Sequence, residues 1–270
     1  MLLKQRLSRT RSRSTNKTIC SRWVSGASSM TASRTMKGLK LSNVNLVCYS
    51  VPSPGLVEKG IRDAQDLLAY MARVSNPDNQ YATESGPKLL KYLINNKHWS
   101  PLEMVHLSLE IETTRDIARQ ILRHRSFSFQ EFSQRYAAVQ GFELSEVRLQ
   151  DIKNRQNSIE VGDSSLHGWW FNAQKRVRDE AEFVYNAALA KGVAKEQARK
   201  LLPEGLTMSR MYMAGNLRSW LHYVEIRCDK ATQKEHREVA EQVKLIICEQ
   251  FPAVKELFYA KELNDAYHSN

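Results

Sequence analysis

The hydrophobic positions along this chain change period several times, and each change marks an element. Val44-Asn45-Leu46-Val47-Cys48-Tyr49 is β-branched and apolar, and Pro52-Ser53-Pro54-Gly55 stops it, which predicts a short strand followed by a turn. From Asp63 to Val74 and from Pro87 to Asn96 the apolar residues recur at helical spacing. That places Leu67, Leu68 and Met71, then Leu89, Leu90, Leu93 and Ile94, on buried faces. The period then drops to two. Val105, Leu107, Leu109 and Ile111 alternate with His106, Ser108, Glu110 and Glu112, as in a half-buried strand. Helices are predicted over Asp116–Leu122, Leu166–Ala190, Ala194–Leu202, Asn216–Ile226 and Gln233–Glu249, the third stopped near Pro203-Glu204-Gly205. The stretch Gln140–Gly162 is polar and irregular and reads as a variable insertion with a strand near Phe142–Leu149. There is no internal repeat. Few strands among long helices predict an α+β fold, a small mixed or antiparallel sheet flanked by several long helices.

Charge changes the picture only once it is located. The chain of 270 residues carries a formal net charge of +11 from 40 Lys and Arg against 29 Asp and Glu. Residues 1–40 hold ten of the basic residues and no acid, the first acid being Glu58, so the rest of the chain is near +1. A near-neutral body is a weak argument for nucleic-acid binding. The stretch 1–40 is Arg- and Ser-rich, with Leu2, Leu3, Leu7, Ile19, Trp23 and Val24 between its cations. Three readings of it stand level: an organelle transit peptide, a disordered basic arm, or an upstream start with the working protein beginning near Met30 or Met36. Residues 41–265 are expected to form one domain. No stretch approaches the roughly 20 apolar residues that span a bilayer. The expectation is a soluble protein with no membrane partner, cytoplasmic or in an organelle matrix. Cys20, Cys48, Cys228 and Cys248 show no CxxC spacing, and the seven His form no HExxH pair, so no metal site is predicted. A Gly-rich GxGxxG or GxxxxGK phosphate loop is also missing.

The chemistry concentrates in Arg123-His124-Arg125-Ser126-Phe127-Ser128-Phe129-Gln130-Glu131-Phe132-Ser133-Gln134-Arg135-Tyr136, where three guanidiniums, an imidazole, a carboxylate and three serine hydroxyls fall within fourteen residues. Guanidinium matches phosphate bidentately, and Ser hydroxyls and backbone N–H groups close the remaining oxygens, so the run reads as an anion site. Glu131, among cations, orients an Arg or accepts from a ligand. Helix-end capping is the simpler account of Arg123 and Arg125, but it leaves Ser133 and Arg135 unexplained. Ser133 lacks a GxSxG elbow and a sequence-placed base, so it reads as a hydrogen-bond partner and not a nucleophile.

The spacing Arg-His-Arg, seven residues, Ser, one residue, Arg resembles the signature of flavin-dependent thymidylate synthases. Ala72-Arg73-Val74-Ser75, His98-Trp99-Ser100-Pro101-Leu102-Glu103, Ala198-Arg199 with Pro203, Asn216-Leu217-Arg218-Ser219 and Arg227 are similar to further family segments in the expected order, together spanning residues 42–260. The chain departs from the pattern at Gln130, where many members carry Asn, and at Leu102-Glu103-Met104, where many carry Phe-Glu-His.

The resemblance implies the family's fold and a thymidylate synthase that moves the methylene of 5,10-methylenetetrahydrofolate to C5 of dUMP, with FAD as cofactor and NADPH as reductant. It implies dUMP contacts at Gln120, Arg123, Glu131, Phe132, Ser133, Gln134, Arg135 and Arg199, with Arg227 against the uracil as a catalytic cation. It implies FAD contacts at Ser75, Ser100, Arg123, His124, Arg125, Glu131, Asn216, Arg218 and His222, and His98 as a second catalytic residue near the flavin. It also implies a homotetramer with active sites between subunits. Four of these have plainer readings: His98 as a helix C-cap, Ser75 in a turn, Asn216 as a helix N-cap, and His222 as a core or surface imidazole. Two other functions compete: a nucleic-acid module using Arg-His-Arg with Phe127, Phe129 and Phe132, and a flavoprotein acting on another nucleotide.

Overall fold

A computed structural model describes residues 42–258, all within one compact unit. The expectations for residues 1–40 and for 259–265 lie outside the described residues. In chain order the strands are β1 (Asn43–Tyr49), β2 (His106–Thr114), β3 (Ser128–Glu131), β4 (Arg148–Gln150), β5 (Ser158–Glu160) and β6 (Met208–Asn216). The helices are α1 (Pro54–Val57), α2 (Ala64–Ala72), α3 (Gly86–Asn95), α4 (Arg115–Ile121), α5 (Ser164–Ala190), α6 (Lys195–Ala198), α7 (Leu217–Arg227) and α8 (Lys234–Gln250), with a last helical stretch at 252–258.

Four strands make one antiparallel sheet in the order β1-β2-β6-β3. The register pairs Leu109 with Met213 and Ile111 with Met211, so the alternation read in β2 continues across the sheet. Because paired residues share a face, Leu107, Leu109, Ile111, Met211 and Met213 are all buried on one side. That face is covered by Ile117, Ala118 and Ile121 of α4, Leu217, Trp220 and Val224 of α7, and Val239, Val243 and Ile247 of α8. Burying one such aliphatic side chain contributes about 1.5–3 kcal/mol. Trp220 meets its polar obligation inside this core by donating from Nε1 to the Leu107 carbonyl at 3.2 Å.

Strand β6 is absent from the pattern reading. Its sequence, Met-Ser-Arg-Met-Tyr-Met-Ala-Gly-Asn, alternates in burial but only weakly in hydropathy, because Met, Ala and Gly carry little β signal. The strand expected near Phe142–Leu149 is also corrected. Phe142 makes only an isolated bridge to Thr207, and the regular pairing is the β4–β5 hairpin further on. The helix expected over Ala194–Leu202 breaks after Ala198 into a 3₁₀ turn, Arg199–Leu201, ahead of Pro203. The α7 helix starts one residue later than its predicted span because Asn216 caps it, its Oδ1 accepting from the Ser219 N–H at 2.9 Å.

Candidate active site

The fourteen-residue run joins the end of α4 to β3. Helix α4 ends at Ile121, and the His124 N–H donates to the Ile121 carbonyl at 3.0 Å, so the imidazole turns inward while Arg123 and Arg125 face solvent on either side. Neither guanidinium has a partner among the described residues. The His124 ring meets Tyr223 edge-on at 4.9 Å, and its Nε2 accepts from Arg227 Nε at 2.9 Å. Burial pushes His124 down to about 4, and the Arg227 cation and His222 add to the effect. The ring is therefore neutral, with its proton on Nδ1.

Below that contact lies a polar chain. His236 is fully buried, with Nδ1 3.2 Å from Gln120 Oε1 and Nε2 3.1 Å from the Tyr223 hydroxyl. Gln120 Nε2 donates to Gln233 Oε1 at 2.7 Å. Burial, reinforced by Arg227 and His124, pushes His236 down to about 3, and burial pushes the Tyr223 hydroxyl far above its usual range.

Glu131, on β3, accepts from Ser209 Oγ of β6 at 3.0 Å and faces Arg115 Nη1 at 3.6 Å. Neither Arg115 nor Ser209 was singled out in the sequence. Arg115 did carry a signal, since a cation in the first turn of a helix opposes the dipole and calls for a carboxylate partner. Beside them a cleft of about 220 Å³ is lined by Glu112, Phe132, Gln140, Met208, Ser209 and Arg210. Ser133 accepts on Oγ from the Arg135 N–H at 3.4 Å, and its carbonyl receives the Tyr136 and Ala137 N–H groups. This turn buries Gln134 to 3% exposure, with no partner for Nε2. Arg135 Nε lies 3.3 Å from Glu196 Oε2 at a half-exposed pair. Arg199 opens the 3₁₀ turn after α6 with no partner among the described residues.

The remaining candidates lie on α7 and in the turns after α2 and α3, and Ser219 Oγ, 3.4 Å from the Ser126 carbonyl, ties the start of α7 to the motif loop. Arg218 pairs with Glu103, tying the start of α7 to the 3₁₀ turn that Ser100 opens. His106, beginning β2, is in register with Asn216, ending β6. His98 follows α3 in a Schellman cap, its N–H donating to the Leu93 carbonyl at 2.8 Å after Lys97 at φ 57°, with its ring edge-on to Tyr92. Ser75 lies exposed in the turn after α2, and His222 is exposed on α7. The structure thus gathers His124, Arg227, Gln120 and Glu131 around α4 and β3. No hydrogen bond or ion pair among the described residues links His98, Ser75 or Ser100 to that group. No cluster of three or more His, Cys, Asp or Glu able to hold a metal occurs among the described residues.

The profile of the family described as thymidylate synthase complementing protein matches residues 56–253. A flavin-dependent thymidylate synthase of Synechocystis sp. is 52% identical over 190 residues, covering 70% of this chain and 87% of its own. A probable flavin-dependent thymidylate synthase of Paramecium bursaria Chlorella virus 1 is 46% identical over 206 residues, covering 76% and 94%. Among solved structures, a UMP/dUMP methylase, PolB, from Streptomyces cacaoi bound with 5-Br dUMP superposes with a TM-score of 0.69 at 25% identity, covering 81% of this chain and 95% of that one. Fold and site together are those of an enzyme. The chain belongs to the flavin-dependent thymidylate synthase family.

Proposed function

We propose that this enzyme is an FAD-dependent thymidylate synthase that transfers the methylene of 5,10-methylenetetrahydrofolate to C5 of dUMP, with NADPH as reductant. The observation that carries the reading is the composition of the Arg123–Arg135 segment as folded. Among the described residues, Arg123 and Arg125 are exposed cations without partners, and the buried amide N–H groups of Gln134 lack an acceptor. These unmatched donors fit the diphosphate of FAD and the phosphate of dUMP, and leaving a buried donor unmatched costs about 1–3 kcal/mol.

In this reading Gln120, Arg123, Glu131, Phe132, Ser133, Gln134, Arg135 and Arg199 hold dUMP. Ser75, Ser100, Arg123, His124, Arg125, Glu131, Asn216, Arg218 and His222 hold FAD, with His98 beside it. Arg227 acts on the pyrimidine. Its Nε is engaged by His124, which leaves the two Nη groups for the ring, where a fixed cation stabilises negative charge as C5 becomes nucleophilic. The fork of Arg115 and Ser209 keeps Glu131 oriented. When bound, FAD supplies the hydride and the folate the one-carbon unit. The reading extends to a homotetramer with sites between subunits, supported by the large apolar side chains Trp169, Phe171, Val177 and Phe183 that α5 leaves exposed around its circumference. No helix among the described residues is long and apolar enough to cross a membrane.

The test is the visible spectrum of the purified protein after FAD addition and desalting, followed anaerobically with NADPH and then with dUMP plus methylenetetrahydrofolate. Flavin bands that bleach with NADPH, return with both substrates and accompany dTMP formation are the expected result. A colourless protein whose nucleic-acid affinity falls steeply with salt would replace this reading with a binding module.

A further inference from the structure

The polar chain Gln233–Gln120–His236–Tyr223 ends in two buried groups, His236 and Tyr223, that the proposed chemistry does not use. Its protons can be assigned from their partners. If Gln120 Oε1 faces His236, Nδ1 must carry the proton, Nε2 must accept, and the Tyr223 hydroxyl must donate. If the amide were flipped, His236 would donate from Nε2 to the Tyr223 oxygen, and the Tyr223 O–H would lose the acceptor that His236 Nε2 supplies. Tyr223 is fully buried, and an orphaned buried donor is far costlier than an unused lone pair. The first arrangement therefore wins. In it, Gln120 Nε2 gives one N–H to Gln233 Oε1 and keeps the other for a ligand, and Gln120 is only partly buried, so that N–H can reach one.

We propose that His236, locked by Tyr223 as the Nδ1–H tautomer, is a positioning residue that holds Gln120 with its amide NH2 outward, so that Gln120 can only donate to the bound nucleotide. This rests on the reading that Gln120 lines the nucleotide site. A donor-only group accepts a base with a carbonyl oxygen at the edge it faces and opposes one with an amino group there. The proposed position of this N–H is at C4, where uracil carries a carbonyl and cytosine an amino group, so the pyrimidine selected is a uracil over a cytosine. An unlocked Gln120 would turn its oxygen outward for the amino group and blunt the distinction.

The experiment measures dUMP and dCMP affinity by equilibrium titration of the FAD-loaded full chain, for the wild type, His236→Phe, His236→Asn and Tyr223→Phe, with a melting curve for each. Wild type should prefer dUMP. His236→Phe, which fills the space without a polar end, should narrow the dUMP-to-dCMP ratio about tenfold. His236→Asn, which restores a donor near Nδ1, should stay within about threefold of wild type. Tyr223→Phe, which removes one hydroxyl, should narrow the ratio about threefold and carries the test if His236→Phe does not fold. An unchanged ratio in folded variants, even with lowered melting points, would overturn the positioning role and leave the synthase reading intact. A wild type that binds neither nucleotide would overturn the synthase reading and this inference with it.

Discussion

Arg227 Nε donates to His124 Nε2 across 2.9 Å, so the proposed uracil-facing cation and a proposed flavin-facing imidazole hold each other in place. The pair joins the end of α7 to the loop after α4. Only a neutral His124 can accept, and the charge on Arg227 helps keep it neutral.

Arg227→Ala should abolish dTMP formation, by about 100-fold or more, since a fixed donor aimed at developing charge is removed. Flavin should remain bound but more loosely, because His124 loses its orienting partner. Arg227→Lys should recover little, as an ammonium lacks the guanidinium's separate Nε–H and Nη edge. Turnover assays with flavin retention after desalting decide this. Full turnover in Arg227→Ala would remove the residue from the chemistry.

Acid should unfold the protein through the two depressed imidazoles. Their folded values, about 4 for His124 and about 3 for His236, lie below the usual 6.5. Between these limits the unfolded chain binds more protons than the folded one, so stability rises with pH and is lost as pH falls below about 6.5. Urea midpoints from pH 4 to 8 should show uptake of up to about two protons on unfolding, and His236→Asn should remove about one of them. A midpoint independent of pH over this range would mean that the imidazoles are solvated or charged in the folded state.

Arg135 is held by Glu196 at a half-exposed pair, whose contribution to stability is at most about 1 kcal/mol. Glu196→Gln should leave the melting point nearly unchanged and tighten dUMP binding, because a competing carboxylate is removed from the guanidinium. Arg135→Ala should weaken dUMP binding more than Arg135→Lys, which keeps the charge but not the bidentate fork. Equal dUMP affinity in all of these proteins would exclude Arg135 from the phosphate site.

Gly215, next to the end of β6, faces Phe127 so closely that an added Cβ would sit 2.5 Å from the ring. Phe127 in turn packs against Trp220 with ring centroids 4.6 Å apart. Gly215→Ala should cost about 1–3 kcal/mol of unfolding free energy and disturb the loop carrying Arg123, His124 and Arg125. A wild-type urea midpoint would show that the ring moves aside freely.

Period was enough for β2, α2 and α3, because each buries one face and local sequence spells that face out, while the apolar run and the turn after it marked β1. The motif residues were legible too, since Arg, His and Ser in that order have no use in a core. Tertiary structure decided the rest. β6 became a central strand only because β2 and β3 flank it, which supplies the hydrogen bonds that its Met, Ala and Gly do not announce. Arg115 and Ser209 reach Glu131 from positions 16 and 78 residues away in sequence. His236 stands 116 residues from Gln120, inside a helix pattern where an imidazole looks like any other polar residue. Local pattern encodes which face is buried. Which polar groups meet beneath that face depends on the packing of α4, α7 and α8, and no local spacing contains it.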